Sequence, residues 1–240
     1  MTINDYFDRI YVIHLPERHD RFVALERELA TLGIDIHGAK VHIPHAPRPT
    51  EANRFPSRAV YGNFLSHLSI LQEAQRDGLR NVLVLEDDAI FSRRMVRNQA
   101  RLIDTLQHRH WDLCFFGHSL KSELKGCEEG LIAHRASFIW AHCYAVHAAA
   151  LPGLIAYLEQ TMALPPGDPR GARMYIDGAF SMFRERHPEI VTLVSNPVLS
   201  IQKGSPSSIA GTGWYRSLRW LVPLIGLGRA ARDQWWRLTA

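Results

Sequence analysis

Short apolar runs alternate with amphipathic stretches along most of the chain. Residues 9–15 (RIYVIHL) are rich in β-branched side chains and predict a buried strand. The apolar residues that come next recur at helical spacing: Phe22, Leu25, Leu29 and Leu32. Gly33 follows them and is a natural helix end. The chain therefore opens with a strand followed by a helix, as α/β proteins do.

This alternation continues further along the chain. A second helix is predicted over residues 61–77, and the continuously apolar residues 82–85 predict a central strand covered on both faces. The remaining predicted elements are helices over 96–107, 148–162 and 174–184, and strands over 111–117, 137–147 and 190–194. Residues 39–58, which are dense in proline, and the polar residues 118–135 predict loops. The pattern predicts an α/β fold with a mostly parallel, Rossmann-like sheet flanked by helices.

The composition narrows the class of protein. With 240 residues, 46% of them hydrophobic and 22% charged, the chain has the balance of a globular protein, which excludes a disordered or polytopic membrane protein. Residues 214–240 carry five arginines and one aspartate, which accounts for the whole net charge of +4. We therefore expect one globular domain over residues 1–213 and a basic tail over residues 214–240.

The sequence also bears on where the protein works. Its three cysteines, Cys114, Cys127 and Cys143, have no metal-like spacing, and two lie in apolar runs, as free thiols in a reducing compartment do. The first residues combine acidic side chains with a short apolar run, which is unlike a secretory signal. No stretch approaches the ~20 apolar residues of a membrane-spanning helix. We expect a cytoplasmic protein.

The predicted tail is amphipathic and rich in tryptophan. Its apolar residues recur at i, i+4, i+7, i+8 and i+11: Trp214, Leu218, Leu221, Val222 and Ile225. Arg216 and Arg219 fall between them, an arrangement that suits the surface of an anionic membrane. We therefore predict peripheral attachment to the inner face of the cytoplasmic membrane; the alternative is a helix packed on the domain or on a dimer partner. The bulky apolar residues among the arginines argue against nucleic-acid binding.

Three consecutive acidic residues, Glu86, Asp87 and Asp88, directly follow the predicted strand over residues 82–85. Adjacent carboxylates repel one another unless a cation or solvent relieves the repulsion, and parallel sheets bind ligands beyond the carboxyl ends of their strands. In an extended segment Glu86 and Asp88 would point to one side and Asp87 to the other. Two oxygen ligands on one side suit Mg²⁺ or Mn²⁺ bound together with substrate phosphates. The alternative is a solvated acidic strand end without a metal.

Three ordered blocks resemble glycosyltransferase family 25, which includes lipooligosaccharide β-galactosyltransferases and collagen galactosyltransferases. The opening block of that family resembles IYVIHLPERHDRFVALERELATLGI, its glycine-then-SH block resembles AVYGNFLSHLSILQEA, and its ILEDD block resembles NVLVLEDDAIF. Weaker similarity includes WDLCFFG, the region of Asp177 and NPVLSIQ, so the resemblance covers most of residues 9–210. One departure is His14, where the family commonly has asparagine.

The resemblance implies a GT-A-like fold, a UDP-sugar donor, a divalent cation and inversion at the anomeric carbon. By position, Glu86 and Asp88 match the metal-binding motif, with Asp87 as a substitute and as a donor contact. The residues that match the nucleotide-binding blocks are His14, Leu15, Arg18, Arg21, Ser66 and His67. The two arginines also lie at a strand-to-helix junction, where N–H and guanidinium groups suit phosphate. The alternatives are solvated arginines, a core histidine and a small packing serine.

An inverting transfer needs a general base that takes the proton of the acceptor hydroxyl. Asp177, in RMYIDGAF, is the first prediction for this base and Asp112 is the second. The structural alternatives are a helix-capping or surface aspartate for the former and a turn aspartate for the latter. Gln202 and His147 are further options for a donor or metal contact, with structural roles as the alternative.

These inferences predict a metal-dependent, inverting hexosyltransferase. It would move a hexose, galactose first, from a UDP-sugar to a hydroxyl of a glycan or glycolipid acceptor such as the lipooligosaccharide core of lipopolysaccharide biosynthesis. One alternative is a membrane-associated scaffold that binds sugar nucleotides without turnover. Another is a nucleotidyltransferase, although the first strand is not followed by the glycine-rich loop that those enzymes usually carry.

Overall fold

The computed structural model describes residues 1–120, 123–165, 167–203 and 231–236. The strands in that part of the chain are β1 (Arg9–Ile13), β2 (Val41–His42), β3 (Asn81–Glu86), β4 (Ala89–Phe91), β5 (Leu113–Phe115), β6 (Gly130–Ala133), β7 (Cys143–His147), β8 (Thr192–Asn196) and β9 (Ser200–Gln202). The helices are α1 (Ile3–Tyr6), α2 (His19–Thr31), α3 (Arg58–Arg76), α4 (Arg93–Arg97), α5 (Gln99–His108), α6 (Leu151–Ala163) and α7 (Ile176–Arg186).

Seven strands form one twisted layer in the order β2-β1-β3-β7-β5-β8-β6. Strands β1, β2, β3, β5 and β8 share one direction, whereas β7 and β6 run against their neighbours. The sheet is therefore mixed but mostly parallel in strand direction, which confirms the predicted α/β class. A separate two-stranded sheet pairs β4 with β9, and it joins the turn after β3 to the last described strand of the domain.

The strands of the main sheet are buried on both faces, so alternate side chains enter two different cores. Along β1 and β3, Tyr11, Val82 and Val84 pack with α3, α6 and α7. Ile10 and Leu83 point the other way and pack with α1, α2 and α5. This three-layer arrangement explains why residues 82–85 are continuously apolar, because neither face of β3 meets water.

Local sequence sets the ends of several helices. Ser57 caps α3, since its hydroxyl accepts a hydrogen bond from the Val60 amide at 3.1 Å. Gly33 ends the turn after α2 with a φ of +72°, and Gly78 does the same after α3 with a φ of +64°. The predicted helix ends at these two glycines are confirmed.

Several predicted boundaries are wrong. The predicted helix over 96–107 is two helices, α4 and α5, which meet at Asn98. The loop predicted over 118–135 contains strand β6. The strand predicted over 137–147 begins only at Cys143. The small sheet of β4 and β9 was not predicted, because three-residue strands carry too little pattern to be recognised.

Part of the predicted tail is described. Residues 231–236 form a helix, and Trp236 is buried against Ile90 and Val198. For these six residues the packed-on-domain alternative holds. Residues 214–230, which carry the predicted membrane-binding pattern, lie outside the described residues. No helix within the described part of the chain combines the length and apolar character needed to cross a membrane.

The close packing after β5 gives a testable prediction. A Cβ atom at Gly117 would lie 2.3 Å from His142 Nε2 and 3.0 Å from the Ser200 carbonyl oxygen, and His142 is fully buried. Gly117→Ala should therefore lower the free energy of unfolding by about 1–3 kcal/mol, measured by urea denaturation. Gly153→Ala is the control, because a Cβ there meets Phe183 at an ordinary 3.8 Å. Equal stability of the two variants would contradict the packing described.

Candidate functional site

The acidic residues lie where β3 ends. The strand stops at Glu86, and Asp87 and Asp88 form the turn that leads into β4. The expectation of an extended segment with Asp87 on the opposite side is therefore wrong, because the chain turns immediately after the first carboxylate. All three residues line the same cavity, at the carboxyl ends of β1 and β3.

This cavity has a volume of about 400 Å³ and combines opposite charges. Its walls include Arg21 from α2, Arg48 from the proline-rich loop and Arg58 from the first turn of α3. Apolar contacts come from Pro47 and Pro49, among other residues. The loop predicted over residues 39–58 thus contributes directly to the cavity, whereas residues 118–135 are not among those that line it.

Glu86 is held by three side chains from two elements, α3 and β9. Its Oε1 accepts a hydrogen bond from Asn63 Nδ2 at 3.2 Å and lies 3.4 Å from His67 Nε2, while Oε2 accepts one from Gln202 Nε2 at 3.0 Å. Burial alone would raise the pKa of this carboxyl, but the hydrogen bonds from His67 and Asn63 bring the pKa down to about 2. Glu86 is therefore a buried, ionised and fully partnered carboxylate.

His67 connects Glu86 to the core. Its Nδ1 lies 2.8 Å from the hydroxyl of Tyr144, a fully buried residue of β7. The neutral tautomer with its proton on Nε2 satisfies both contacts, because it donates to the carboxylate and accepts from the hydroxyl. Burial raises the pKa of Tyr144 well above its usual value, so the hydroxyl keeps its proton. His67 thus has the partners of a satisfied core histidine.

Asp87 forms a different set of contacts. Its Oδ1 accepts a hydrogen bond from the Arg21 guanidinium at 2.7 Å, and its Oδ2 lies 2.8 Å from His14 Nδ1. All three side chains are at most 10% exposed. This buried ion pair ties the end of β1 and the first turn of α2 to the turn after β3.

Asp88 is the least satisfied carboxylate of the three. One oxygen lies 3.1 Å from the Arg21 guanidinium, and the other, Oδ1, is buried without a hydrogen-bond partner among the described residues. Burial raises the pKa of Asp88 to about 7, and the charge of Glu86 adds to that rise while Arg21 opposes it. A buried carboxylate oxygen with no partner is costly, so Asp88 has one oxygen available to a ligand.

The three environments bear on a bound cation. Within the described ranges no group of three or more His, Cys, Asp or Glu side chains is arranged to hold a metal ion. Mg²⁺ and Mn²⁺ sites in transferases often use one or two carboxylates and complete the shell with phosphates and waters. Asp88 fits that requirement through its unpartnered oxygen, whereas Glu86 would first have to exchange Gln202 or Asn63 for the metal.

The residues from the nucleotide-binding blocks have three different placements. Leu15, Arg21 and Ser66 line the cavity, and Gln202 lines it from β9. His14 and His67 lie behind it and hold Asp87 and Glu86. Arg18 is not among the lining residues, and its guanidinium instead forms two hydrogen bonds of 3.0 Å to Asp20. Ser66 donates its hydroxyl to the Gly62 carbonyl at 2.9 Å, as a helical packing serine does.

The two predicted bases lie outside the cavity. The register places Asp112 beside His147 and Asn81, at the end of the sheet opposite Glu86, and its carboxylate accepts the Val191 amide at 2.8 Å. The prediction that Asp112 acts at the acidic site is therefore wrong, and the same register excludes His147. Asp177, at the start of α7, accepts two backbone N–H groups, from Trp140 at 3.0 Å and Gly178 at 2.8 Å.

Arg48, Arg58 and Asn63 are polar cavity residues that were not predicted from the sequence. Arg48 and Arg58 are exposed, and Asn63 is a half-buried residue of α3. Asn63 lies four residues before His67, so both face Glu86 from the same side of the helix. That spacing was the available signal. Arg48 gave no such signal, because it lies in an irregular loop and pairs with the exposed Glu17.

Known proteins similar in sequence to this chain come from the glycosyltransferase 25 family. No family model matches the chain. The human inactive glycosyltransferase 25 family member 3 is 28% identical over 180 residues, which cover 66% of this chain and 30% of that protein. Human procollagen galactosyltransferase 2 is 24% identical over 200 residues, which cover 76% and 31% of the two chains. The chain is therefore similar to glycosyltransferase 25 family members over about two thirds to three quarters of its length. This confirms the family predicted from the sequence, at low identity.

The chain also has a similar fold among solved structures. A glycosyltransferase involved in the glycosylation of the major capsid of PBCV-1 matches with a TM-score of 0.50 and 13% identity, over 96% of this chain and 98% of that one. This likeness confirms the predicted GT-A-like fold. The chain spans about 30% of the length of the curated family 25 relatives it matches.

The buried pair of Arg21 and Asp87 gives a stability prediction. Arg21→Met keeps much of the side-chain volume but leaves Asp87 and Asp88 without their guanidinium, so the free energy of unfolding should fall by about 3–5 kcal/mol. Arg18→Ala is the matched control from the same junction, because its partner Asp20 has a 66% exposed side chain. Its cost should stay below about 0.5 kcal/mol in the same denaturation experiment. The pair would not have the role described if both variants unfolded alike.

A second prediction concerns pH. Burial lowers the pKa of His118 to about 4, and its ring contacts the Ser195 carbonyl at 2.8 Å and the Leu120 amide at 3.3 Å. The folded state therefore binds fewer protons than the unfolded state between pH 6.5 and 4, and stability falls as pH drops through that window. His118→Gln cannot titrate at this position. Between pH 6.5 and pH 4 the unfolding free energy of the variant should therefore fall by about 3 kcal/mol less than that of wild type. Parallel curves for wild type and variant would disprove the assignment.

Proposed function

We propose that this chain transfers a hexose, galactose first, from a UDP-sugar to a hydroxyl of a glycan acceptor, with inversion at the anomeric carbon. One observation carries the proposal. Asp88 lines a cavity that also contains three arginines, and one of its carboxylate oxygens is buried without a described partner. Such a cavity suits a nucleoside diphosphate, whose charge would meet the arginines, while a cation or a donor group would meet Asp88.

The arginines would support departure of the diphosphate. In the transfer, the acceptor oxygen bonds to the anomeric carbon while the bond from that carbon to the diphosphate breaks. The bonding electron pair leaves with the diphosphate, and the hydroxyl proton passes to a base. Arg48 and Arg58 can move toward the phosphates because they are exposed, whereas Arg21 is fixed by its carboxylate contacts. A bound Mn²⁺ or Mg²⁺, held by Asp88, would add positive charge at the same leaving group.

The proline-rich wall would receive the uncharged part of the donor. Pro47 and Pro49 line the same cavity as the carboxylates, and both are partly buried. They come close to α3 because Gly62 has no side chain, since a Cβ there would lie 3.1 Å from the Pro47 carbonyl oxygen. An apolar shelf beside a charged end is the common composition of sites that bind a small organic ligand.

We propose a glycolipid as the acceptor and the membrane surface as the place of transfer. A lipooligosaccharide core or another glycolipid would agree with attachment through residues 214–230 to the inner face of the cytoplasmic membrane. That attachment depends on residues that lie mostly outside the described part of the chain. We propose it as the setting in which the transfer takes place.

A second function deserves a test because of one relative. The human family 25 member 3 carries the word inactive in its name. A chain that binds a sugar nucleotide without transferring the sugar would use the same arginines and the same proline shelf. Binding alone therefore does not distinguish the two functions, but donor hydrolysis does.

The decisive experiment screens a panel of UDP- and CMP-sugars for slow release of free sugar, with manganese and without acceptor. Wild type should release sugar from one UDP-hexose. Asp88→Asn, which preserves the shape of the side chain, should reduce the rate at least ~100-fold, because it removes the carboxylate charge that would hold the cation at the leaving diphosphate. Asp104→Asn is the control, since Asp104 is an exposed residue of α5.

Three other outcomes would change the proposal. Full activity of the wild type in excess chelator would contradict a role for the cation in the reaction. Calorimetric binding of a UDP-sugar without any release of sugar would favour the non-catalytic function. Neither binding nor release for any member of the panel would contradict the proposed function itself.

A further inference from the structure

Helix α7 holds the loop over residues 134–140 along one of its faces. Asp177, Ser181 and Arg184 stand at positions i, i+4 and i+7 of the helix and therefore share one face. Each of them forms hydrogen bonds with the backbone of the loop. A loop fixed at three successive points by side chains of one helix has little freedom to rearrange.

The contacts are short and partly buried. Asp177 Oδ2 accepts the Trp140 amide at 3.0 Å, and Ser181 donates its hydroxyl to the Phe138 carbonyl at 2.7 Å. Arg184 donates to the carbonyls of His134 and Ala136 at 2.9 and 3.2 Å. Its guanidinium also lies 4.4 Å from the centre of the Phe138 ring.

A second anchor holds the tip of the loop. The Ile139 amide donates to the Ser119 hydroxyl at 3.1 Å, and the Ser119 amide donates to the Ile139 carbonyl at 3.2 Å. Ser119 follows β5, so the tip is tied both to the sheet and to α7. The position of the tip is fixed by several elements at once.

The tip presents apolar surface to solvent in a strained conformation. Trp140 has a φ of +80°, a region that favours glycine, and it remains 38% exposed. The neighbouring Ile139 is 53% exposed. Because Trp140 is exposed, its strained conformation is not explained by packing in the core. Strained residues that are held by their surroundings cluster at functional sites.

This tip lies beside the acidic cavity. The Glu86 amide donates to the His142 carbonyl at 2.9 Å, and the rings of Trp140 and His142 are 6.2 Å apart. Two residues of extended chain separate the Cα atoms of Trp140 and His142 by at most ~7 Å. Neither Ile139 nor Trp140 is among the residues that line the cavity. The pair therefore stands next to the donor site without forming part of it.

We infer that Trp140 and Ile139 form the platform on which the acceptor saccharide rests. A sugar ring has a face of C–H groups that packs against the electron-rich face of an indole, and its hydroxyls project from the ring edge. A ring placed on Trp140 could turn one hydroxyl toward the donor in the neighbouring cavity. This inference rests on the proposed glycosyl transfer and names the surface that would receive its acceptor.

The same geometry gives Asp177 a positioning role in place of the predicted role as a base. Each of its oxygens accepts a backbone N–H, and the contact with Trp140 supports the strained residue of the platform. A general base needs a lone pair directed at the acceptor hydroxyl. In Asp177 one lone pair of each oxygen is engaged by a backbone N–H, which fixes the orientation of the carboxylate on the loop.

The test measures binding of the protein to a glycan array that carries lipooligosaccharide core fragments and oligosaccharides ending in galactose or glucose. Wild type should bind at least one member, and Trp140→Ala should bind it about tenfold more weakly, while Trp140→Phe restores most of the affinity. Trp235→Ala is the matched control, because Trp235 is 63% exposed and lies on the helix over residues 231–236. No binding by wild type, or equal binding by Trp140→Ala, would overturn the inference.

A kinetic experiment separates this inference from the proposed function and from a catalytic Asp177. With a panel member as acceptor, Trp140→Ala should raise the acceptor KM about tenfold and leave donor hydrolysis unchanged. Asp177→Asn keeps one oxygen for the Trp140 amide, so its kcat should stay within about threefold of wild type. A fall in kcat of ~100-fold or more with an unchanged KM would identify Asp177 as a base and overturn its positioning role. If wild type showed no donor hydrolysis, the result would instead contradict the proposed function.

Discussion

Three consecutive carboxylates at the end of a buried strand impose an electrostatic constraint that the surrounding structure has to meet. Each loses solvation there, and each repels the next, so the folded state requires donors or a cation close by. The fold brings those donors from the end of β1, from α2 and α3 and from β9: His14, Arg21, Asn63, His67 and Gln202. The strand–helix junctions that meet at this edge of the sheet are positioned by the same contacts.

The three carboxylates differ in how fully hydrogen bonds and ion pairs compensate their buried charge, and this difference determines which of them can bind a ligand. Glu86 and Asp87 have partners on both oxygens, so they connect elements of the fold and have little capacity left for a ligand. Asp88 shares Arg21 with Asp87 and keeps one buried oxygen without a described partner. Its pKa near 7 expresses the same deficit, because burial and the charge of Glu86 raise the pKa by more than Arg21 lowers it. A ligand that supplies positive charge would find its strongest attraction there.

How much the sequence predicted depends on the range of the interactions involved. Strands β1 and β3 and helices α2 and α3 were predicted because their patterns are local and long enough to be periodic. The pairing of β4 with β9 joins residues more than 100 positions apart, such as Ile90 and Ile201, and leaves no local pattern. The acidic triplet was identified correctly as a cluster at a strand end, but its side chains could not be placed, because the turn after Glu86 ended the assumed alternation. Asp112 failed for a similar reason, since only the register shows at which end of the sheet it lies.

The two sides of the proposed site use different physical forces, and that difference suits a transferase. A nucleoside diphosphate is highly charged, so binding it requires desolvated or mobile arginines, which the cavity provides in Arg21, Arg48 and Arg58. A glycan acceptor is neutral and well hydrated, and dispersion against one indole gives it modest affinity with fixed orientation. Modest affinity lets the lengthened product leave, whereas strong burial of its hydroxyls would retain it. In the proposed site, Trp140, which has a strained backbone and is held by Asp177, would orient the acceptor. The neighbouring charged cavity would activate the donor.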